Sequence, residues 1–243
     1  MKILFILIFL TICLSNDSIA QEQFEKETIK TKSGDVEITF IGHGSLILKF
    51  NEKLIYIDPF SKLADYSKMP KADMIVITHH HQDHLDTAAL KNIRTEKTIV
   101  IYSKMCEGKV ERGKVMNNGD VQTVMGIKIK AVPAYNIVHK RDDGKFYHPK
   151  GEGNGYVLTF GDKNIYIGGD TENIPEMNEL KNINYAFLPM NLPYTMTPEM
   201  VADAAKSFKP DVLYPYHYGE TDTTKIVELL KGTKIEVRIR KMK

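Results

Sequence analysis

The chain has little cysteine and no excess of charge of one sign. Only two of its 243 residues are cysteines, and Cys13 lies in a segment that we expect to be removed. A lone Cys106 would exclude an internal disulfide and a thiolate ligand set, so we interpret it as a small buried apolar residue. The 33 basic and 31 acidic residues are spread evenly and give a net charge of +2. This balance argues against nucleic acid as the main partner, because such proteins present a basic face to phosphates.

Long apolar runs are also missing, except at the start of the chain. The stretch "MKILFILIFLTICLSNDSIAQ" has one lysine, an apolar run from Ile3 to Leu14 and small residues before Gln21. The run is shorter than the roughly 20 residues that cross a bilayer, and it is typical of a secretory signal peptide. We therefore predict a signal peptide over residues 1–20 and a periplasmic or secreted protein without a stable membrane anchor. An uncleaved anchor is the alternative.

The remaining residues 21–243 alternate short apolar runs with glycine, asparagine and aspartate. Runs such as "VEITFIG", "SLILKF", "KLIYIDP" and "DMIVIT" predict strands, and a second set from "YVLTFG" to "KIEVRIRK" predicts more. Helices are predicted from Asp86 to Ile93 and over "TPEMVADAAKSF", where Thr197 is the cap and Pro198 the first helical residue. With 42% hydrophobic residues, this mixture indicates one α/β globular domain.

The two halves of the chain resemble each other where their strands end. The runs "LIYID" and "IYIGGD" end at Asp58 and Asp170, while "KADMIVITH" and "KPDVLYPYH" end at His79 and His217. Open α/β sheets place their sites at the carboxyl ends of strands. These acids and histidines are therefore candidates for the functional site.

The stretch "VITHHHQDHLD" places four of the eight histidines within six residues, together with an aspartate. Clustered imidazoles repel one another when protonated, whereas a bound metal uses their lone pairs. Strand alternation directs His79 and His81 to one side and His80 away. After the turn, Asp83 and His84 can face the opposite side, so one loop can serve two adjacent metals. A solvated histidine-rich loop without catalysis is the alternative.

The pattern His-x-His-x-Asp-His at residues 79–84 resembles the signature of the metallo-β-lactamase superfamily. The motifs "IGHGSL", "IYIDPF", "YIGGDT" and "PYHYGE" occur in the order that this superfamily uses. The branch that is most similar holds the L-ascorbate-6-phosphate lactonase-like and N-acylphosphatidylethanolamine phospholipase D-like hydrolases. The resemblance implies an α/β fold of the αββα sandwich type, with a metal site at the edge between two sheets.

Carried over residue by residue, the resemblance implies two divalent metal ions. The implied ligands are His79 and His81 for the first ion, Asp83, His84 and His217 for the second, and Asp170 for both. Zinc suits imidazole and carboxylate ligands, and iron or manganese are alternatives. Asp58 fits an acceptor that orients a ligand histidine, or else a plain turn after a strand. The best-known zinc β-lactamases use a cysteine in the second site, so β-lactam hydrolysis is not implied here.

The third histidine of the first site departs from the superfamily pattern. Related branches have a histidine two positions after Pro-Ala, but "VPAYN" places Asn136 there, and a neutral amide is a poor substitute for imidazole. His139 and His148 are the candidates to replace it, both in the polar, glycine-rich segment 139–155. We favour His148, because "HPKGEGNGY" is similar to a feature of one subgroup and Pro149 restrains the preceding backbone.

These ligands predict a hydrolase of a small ester, lactone, amide or phosphodiester substrate. Two metals about 3.5–4 Å apart lower the pKa of a shared water, so a metal-bridging hydroxide is the expected nucleophile. Asp83 and Asp170 are the predicted catalytic residues, with Asp83 placed to orient water or pass on a proton. His43, Asn136 and Tyr194 are the candidate substrate contacts. The alternatives are a phosphodiesterase of phospholipid or nucleic acid, and a non-catalytic metal- or ligand-binding protein on the same scaffold.

Overall fold

Residues 24–243 are described by a computed structural model and form two packed sheets flanked by helices. Each sheet has seven strands, in the order β1 to β7 and β14 to β8. The strands are β1 Glu25–Ile29, β2 Val36–Gly42, β3 Ser45–Phe50, β4 Lys53–Ile57, β5 Met74–Ile77, β6 Ile99–Ser103, β7 Lys114–Met116, β8 Val121–Val124, β9 Ile127–Ala134, β10 Gly153–Phe160, β11 Lys163–Ile167, β12 Tyr185–Pro189, β13 Val212–Tyr216 and β14 Glu236–Val237. The helices are α1 Thr87–Ile93, α2 Pro198–Phe208 and α3 Thr224–Leu229.

The predicted signal peptide and its cleavage point lie outside the described residues. Across residues 24–243, no helix combines the length and the hydropathy that a bilayer crossing requires.

The side chains of each central strand point alternately to the core between the sheets and to the helices outside. This alternation explains the four layers, helix, sheet, sheet and helix. In β5, Met74 and Val76 face the core between the sheets, while Ile75 and Ile77 face the layer that contains α1. In β13, Tyr214 packs into the core between the sheets and Leu213 packs against α2. Strands that are buried on both faces read as nearly continuous apolar runs, which is why the sequence shows them clearly. The αββα sandwich implied by the sequence is confirmed.

Each sheet changes from antiparallel to parallel pairing halfway across. The strands β1 to β4 and β8 to β11 pair in antiparallel fashion, and each sheet continues with three more strands in parallel. The predicted correspondence of Asp58 with Asp170 therefore holds, since they follow the equivalent strands β4 and β11. The strands before His79 and His217 do not have equivalent positions, because β5 is next to β4 whereas β12 separates β13 from β11.

Several boundaries differ from the sequence expectation. The predicted strand "KIEVRIRK" is reduced to Glu236–Val237, because the arginines that follow bind an acid on the opposite sheet. Arg238 and Arg240 both form ion pairs with Glu27 of β1. The helix predicted from Asp86 begins one residue later, and the Asp86 carboxylate caps it by accepting from Ala88 N. The helix capped by Thr197 is confirmed.

Candidate metal centre

The predicted site residues gather at one edge of the sandwich, where parallel strands end. Asp58 follows β4, His79 follows β5 by one residue, and Asp170 and His217 follow β11 and β13. The two sheets are joined there, because the His217 N–H donates to the His43 carbonyl at 3.0 Å. His43, Asp58 and His217 have φ values of 50°, 42° and 47°. Left-handed conformations of non-glycine residues are costly and cluster at functional sites.

A first group of possible ligands consists of three histidines and one aspartate. The group is His79, His81, His148 and Asp170, whose ligand atoms all lie within 4.8 Å of one another. His79 Nε2 and His148 Nε2 lie 3.1 Å and 3.3 Å from His81 Nδ1. His148 Nε2 lies 3.2 Å from Asp170 Oδ2. Three nitrogens and one carboxylate oxygen are a ligand set that zinc, iron or manganese accepts.

A second group lies on the other side of Asp170. It contains His43, Asp83, His84 and His217, again with ligand atoms within 4.8 Å of one another. Asp83 Oδ2 is 3.7 Å from His84 Nε2 and 3.6 Å from His217 Nε2. Asp170 reaches this group as well, since its Oδ1 is 3.4 Å from His84 Nε2. Asp170 thus stands between the two groups, in the position where the sequence predicts a bridging ligand.

The second group has the chemistry of a cation site. Among residues 24–243, the buried atoms His84 Nε2, His217 Nε2 and Asp170 Oδ1 have no hydrogen-bond partner. Leaving a buried polar atom unpaired costs about 1–3 kcal/mol, so three such atoms around one point need an explanation. A divalent cation accepts lone pairs from all three at once. The residues present therefore fit the metal that the superfamily pattern implies.

The charges of the two groups differ. Burial lowers the pKa of His84, but Asp170 and Asp58 outweigh burial and raise that pKa to about 10. Burial raises the pKa of Asp83, but the neighbouring imidazoles of His217 and His43 outweigh burial and hold it below its ordinary value. In the first group, burial and the neighbouring His148 lower the pKa of His81 to about 4. The second group therefore attracts positive charge, whereas His81 offers a lone pair free of a proton at neutral pH.

Asp58 holds His84 in the orientation that a metal needs. Its Oδ2 lies 2.8 Å from His84 Nδ1, and it also accepts from the Thr78 N–H and hydroxyl at 2.8 Å and 2.6 Å. An acceptor at Nδ1 fixes the imidazole tautomer with a free lone pair at Nε2. Asp58 therefore contacts a histidine of the second group, as the sequence predicts, and the metal-ligand role of His84 stays a prediction.

The long polar segment supplies His148, and not His139, to the first group. His139 Nδ1 is instead 2.6 Å from Glu172 Oε1. Asn136 is buried, and its Oδ1 accepts from both the backbone N–H and Nδ1 of His148 at 2.8 Å. The Asn136 Nδ2 group donates to Glu172 Oε1 and to the Tyr194 carbonyl. A substrate contact of Asn136 stays a prediction, but these bonds already use its amide.

The other two candidate substrate contacts lie near the metal groups. His43 Nε2 is 3.1 Å from Asp83 Oδ2, and its ring lies 3.6 Å from that of His217. Tyr194 is 45% exposed, and its ring packs against Tyr147, which lines the cleft of the first group. The substrate roles of both residues stay predictions.

Glu172 is the site residue that sequence reasoning missed. It is fully buried and accepts five hydrogen bonds, three of them from consecutive backbone N–H groups at residues 137–139. The available signal was its position two residues after Asp170 in "GGDTE". An acid two residues after Asp170, itself a predicted ligand at a strand end, was a candidate for the same site.

Comparison with known proteins agrees with this geometry. The sequence model of the family described as β-lactamase superfamily domain matches residues 37–217. The fold and the two groups of ligands thus place the chain in the metallo-β-lactamase superfamily.

Within that superfamily, the chain belongs to the UPF0173 metal-dependent hydrolase family. A member from Methanopyrus kandleri is 32% identical over 195 residues, which cover 76% of this chain and 84% of the relative. A member from Thermococcus onnurineus is 34% identical over 197 residues, with coverage of 76% and 85%. Family membership makes this chain a metal-dependent hydrolase.

Solved structures show the same fold. The crystal structure of a protein from Parabacteroides distasonis, named as a metal-dependent hydrolase, is 48% identical with a TM-score of 0.87. The match covers 91% of this chain and 100% of that protein. The metallohydrolase Igni18 from Ignicoccus hospitalis is 26% identical with a TM-score of 0.69, and the match covers 84% of this chain and 94% of Igni18.

Proposed function

We propose that the protein is an exported hydrolase that binds two divalent metal ions and cleaves a small ester, lactone, amide or phosphodiester. Zinc is the metal that we favour for both sites. One observation carries the proposal: Asp170 lies between two groups of ligands, and buried atoms of His84, Asp170 and His217 lack a partner in the described part of the chain. Iron and manganese remain alternatives, since the ligands are imidazoles and carboxylates.

The residues around the groups have distinct tasks in this proposal. When bound, the two ions would supply Lewis acidity and a water activated at neutral pH. The Asp83 side chain is 35% exposed, so it can face the substrate, orient the attacking water and accept its proton. His43 holds Asp83 in place through the 3.1 Å contact, and Asp170 fixes the separation of the two groups.

The surroundings of the first group favour a substrate with an apolar part. Four exposed apolar side chains form what we call the apolar rim: Ile137, Val138, Leu192 and Tyr194. Their two loops are joined by the bond from Asn136 Nδ2 to the Tyr194 carbonyl at 2.9 Å. Val138 is 62% exposed, and the Tyr194 ring packs against Tyr147, which lines the cleft of the first group. Exposed apolar surface at a cleft is typical of ligand contact.

The apolar rim also favours a second candidate, a phosphodiesterase that acts on phospholipid. Such an enzyme needs apolar surface beside its metal site to hold acyl chains, and the rim offers it. This candidate agrees with the resemblance to the lactonase-like and phospholipase D-like branch, which supports a lactone or a phosphodiester as the substrate. A small soluble diester and a vesicle of phosphatidylethanolamine distinguish the two candidates, because only the second requires an interface.

A metal analysis combined with a substrate screen tests the proposed function. We expect about two ions per chain in protein purified without chelator, and turnover of at least one ester, lactone, amide or phosphodiester probe. The Asp170→Asn variant serves as the blank for each probe. A stoichiometry of one or less after addition of zinc, manganese or iron would contradict the binuclear site.

Export is proposed from residues 1–20 together with a mature domain of residues 21–243. Mass spectrometry of the natively expressed protein should give a mature chain that begins at Gln21. An intact Met1 form as the main species would reject cleavage.

A further inference from the structure

The Glu172 carboxylate organises the backbone that follows β9. Its Oε2 accepts from Ile137 N and Val138 N at 2.7 Å and 2.6 Å, and its Oε1 accepts from His139 N at 2.8 Å. Consecutive N–H groups aimed at one point form an anion-binding nest. Backbone N–H groups can only donate, so both Glu172 oxygens act as hydrogen-bond acceptors.

Because both Glu172 oxygens already accept from backbone N–H groups, Oε1 is also an acceptor for Asn136, and this fixes the orientation of the Asn136 amide. The group that faces Glu172 Oε1 at 3.0 Å and the Tyr194 carbonyl at 2.9 Å must be the NH₂ group, because both partners are acceptors. The Asn136 oxygen therefore faces the other way, toward His148. This assignment of oxygen and nitrogen follows from the chemistry of the partners.

The Asn136 oxygen in turn fixes the tautomer of His148. It accepts from the backbone N–H and from Nδ1 of His148, both at 2.8 Å. Nδ1 therefore carries the proton, and the lone pair is at Nε2. That atom lies 3.2 Å from Asp170 Oδ2 and 3.3 Å from His81 Nδ1, so the lone pair is directed into the first group.

We propose that Glu172 and Asn136 are positioning residues that set the tautomer and the placement of His148 for the first metal. The inference rests on the proposed metal centre. Asn136 holds a histidine that lies 12 residues further along the chain, through two bonds to the same amide oxygen. Glu172 is the fixed end of this relay, which runs from Glu172 through Asn136 to His148. Nothing in the relay contacts the second group directly.

The Glu172→Gln variant tests the relay, because a glutamine side chain can donate where the carboxylate can only accept. A donor facing Asn136 would turn its amide, and His148 Nδ1 would then meet an NH₂ group and lose its proton to Nε2. We expect the first metal to bind 10- to 100-fold more weakly, with the second within about threefold of wild type. Chelator competition measures both constants, and His148→Ala identifies the first site.

Glu176→Gln is the matched control. Glu176 is the next acid along the same segment and also holds the loop, since it accepts from the Tyr135 hydroxyl at 2.8 Å and pairs with Lys150. It has no bond to Asn136 or His148, so its variant should leave both metal constants unchanged. The Asn136→Ala variant provides a second test if Glu172→Gln does not fold, because it removes the acceptor for His148 together with the amide bonds to Glu172 and Tyr194.

The tautomer of His148 in metal-free protein gives a readout that does not depend on activity. Nitrogen-15 NMR should show a proton on Nδ1 in wild type and in Glu176→Gln, and a shift toward Nε2 in Glu172→Gln. An unchanged tautomer, or equal weakening of both metals, would overturn the relay. Failure of every variant and of wild type to bind metal would reject the proposed function, and the tautomer would still decide the relay.

Discussion

The two groups of ligands are built in different ways. In the second group, His84 belongs to a short turn and His217 follows a strand directly, and a carboxylate of Asp58 supports His84 at 2.8 Å. In the first group, His148 comes from the long loop between β9 and β10 and is supported by the neutral amide of Asn136. One group therefore depends on strand ends and charge, and the other depends on a loop held by hydrogen bonds.

This difference has consequences for metal binding. The second group has the charges of Asp58 and Asp83 in addition to that of the shared Asp170. The first group contains one acid, Asp170. Charge in a buried site acts strongly because the surroundings have a low effective dielectric constant. Once His84 has lost its proton, we therefore expect the second site to bind its metal more tightly than the first.

Removal of the shared Asp170 carboxylate should weaken both metal sites at once. Asp170→Asn places a neutral amide in both sites, so we expect both metals to be weakened and hydrolysis to fall by about a thousandfold or more, since a bound metal contributes several kcal/mol to the transition state. Metal content and turnover measure the effect. Retention of two metals with full turnover would show that Asp170 is not the bridge.

Loss of the loop histidine should separate the two sites. We expect His148→Ala to remove most activity and to weaken the first metal about 10- to 100-fold or more, while the second metal stays. His139→Ala is the matched control from the same loop, and it should change either quantity only slightly, because Glu172 keeps its bonds to the Asn136 amide and to the backbone N–H groups of residues 137–139. A larger effect of His139→Ala would reverse the assignment.

Loss of the Asp58 carboxylate, which supports His84, should weaken the second metal site and spare the first. Asp58→Asn keeps the size of the side chain but removes the charge beside His84, so we expect the second metal to bind about 10- to 100-fold more weakly and the first to change little. Asp73→Asn is the control, since Asp73 lies at the other end of the same strands and binds Lys53. Equal weakening of both sites by Asp58→Asn would contradict the separation.

Asp83, His84 and His217 of the second group could be predicted from the sequence, because they have fixed positions relative to strands, whereas His43 was predicted as a substrate contact. A strand that is buried on both faces reads as a clear apolar run, so "MIVI" and "VLYPY" locate the residues that follow them. The short strands β7 and β8 have exposed positions and no such run, and the sequence did not indicate them.

The first group could be predicted only in part. His79 and His81 follow from the motif, and Pro149 favoured His148. The reason that His148 reaches the site lies in Asn136 and Glu172, which are 36 residues apart along the chain. A contact between distant loops depends on how two sheets pack, and no local pattern of residue types records it.

The pH dependence of metal binding should also differ between the two sites. In metal-free protein the pKa of His84 is raised to about 10, so at pH 7 this ligand carries a proton that the second metal must displace. The affinity of the second site should therefore rise with pH, by up to about tenfold per unit, and level off as the pH reaches 10. His81, with a pKa lowered to about 4, has no proton to lose above pH 5, so the affinity of the first site should depend less on pH.

Chelator competition between pH 6.5 and 8.5 measures both slopes, and Asp58→Asn should reduce the steeper one because Asp58 helps to raise the pKa of His84. Parallel slopes in wild type would refute the difference in charge between the two groups.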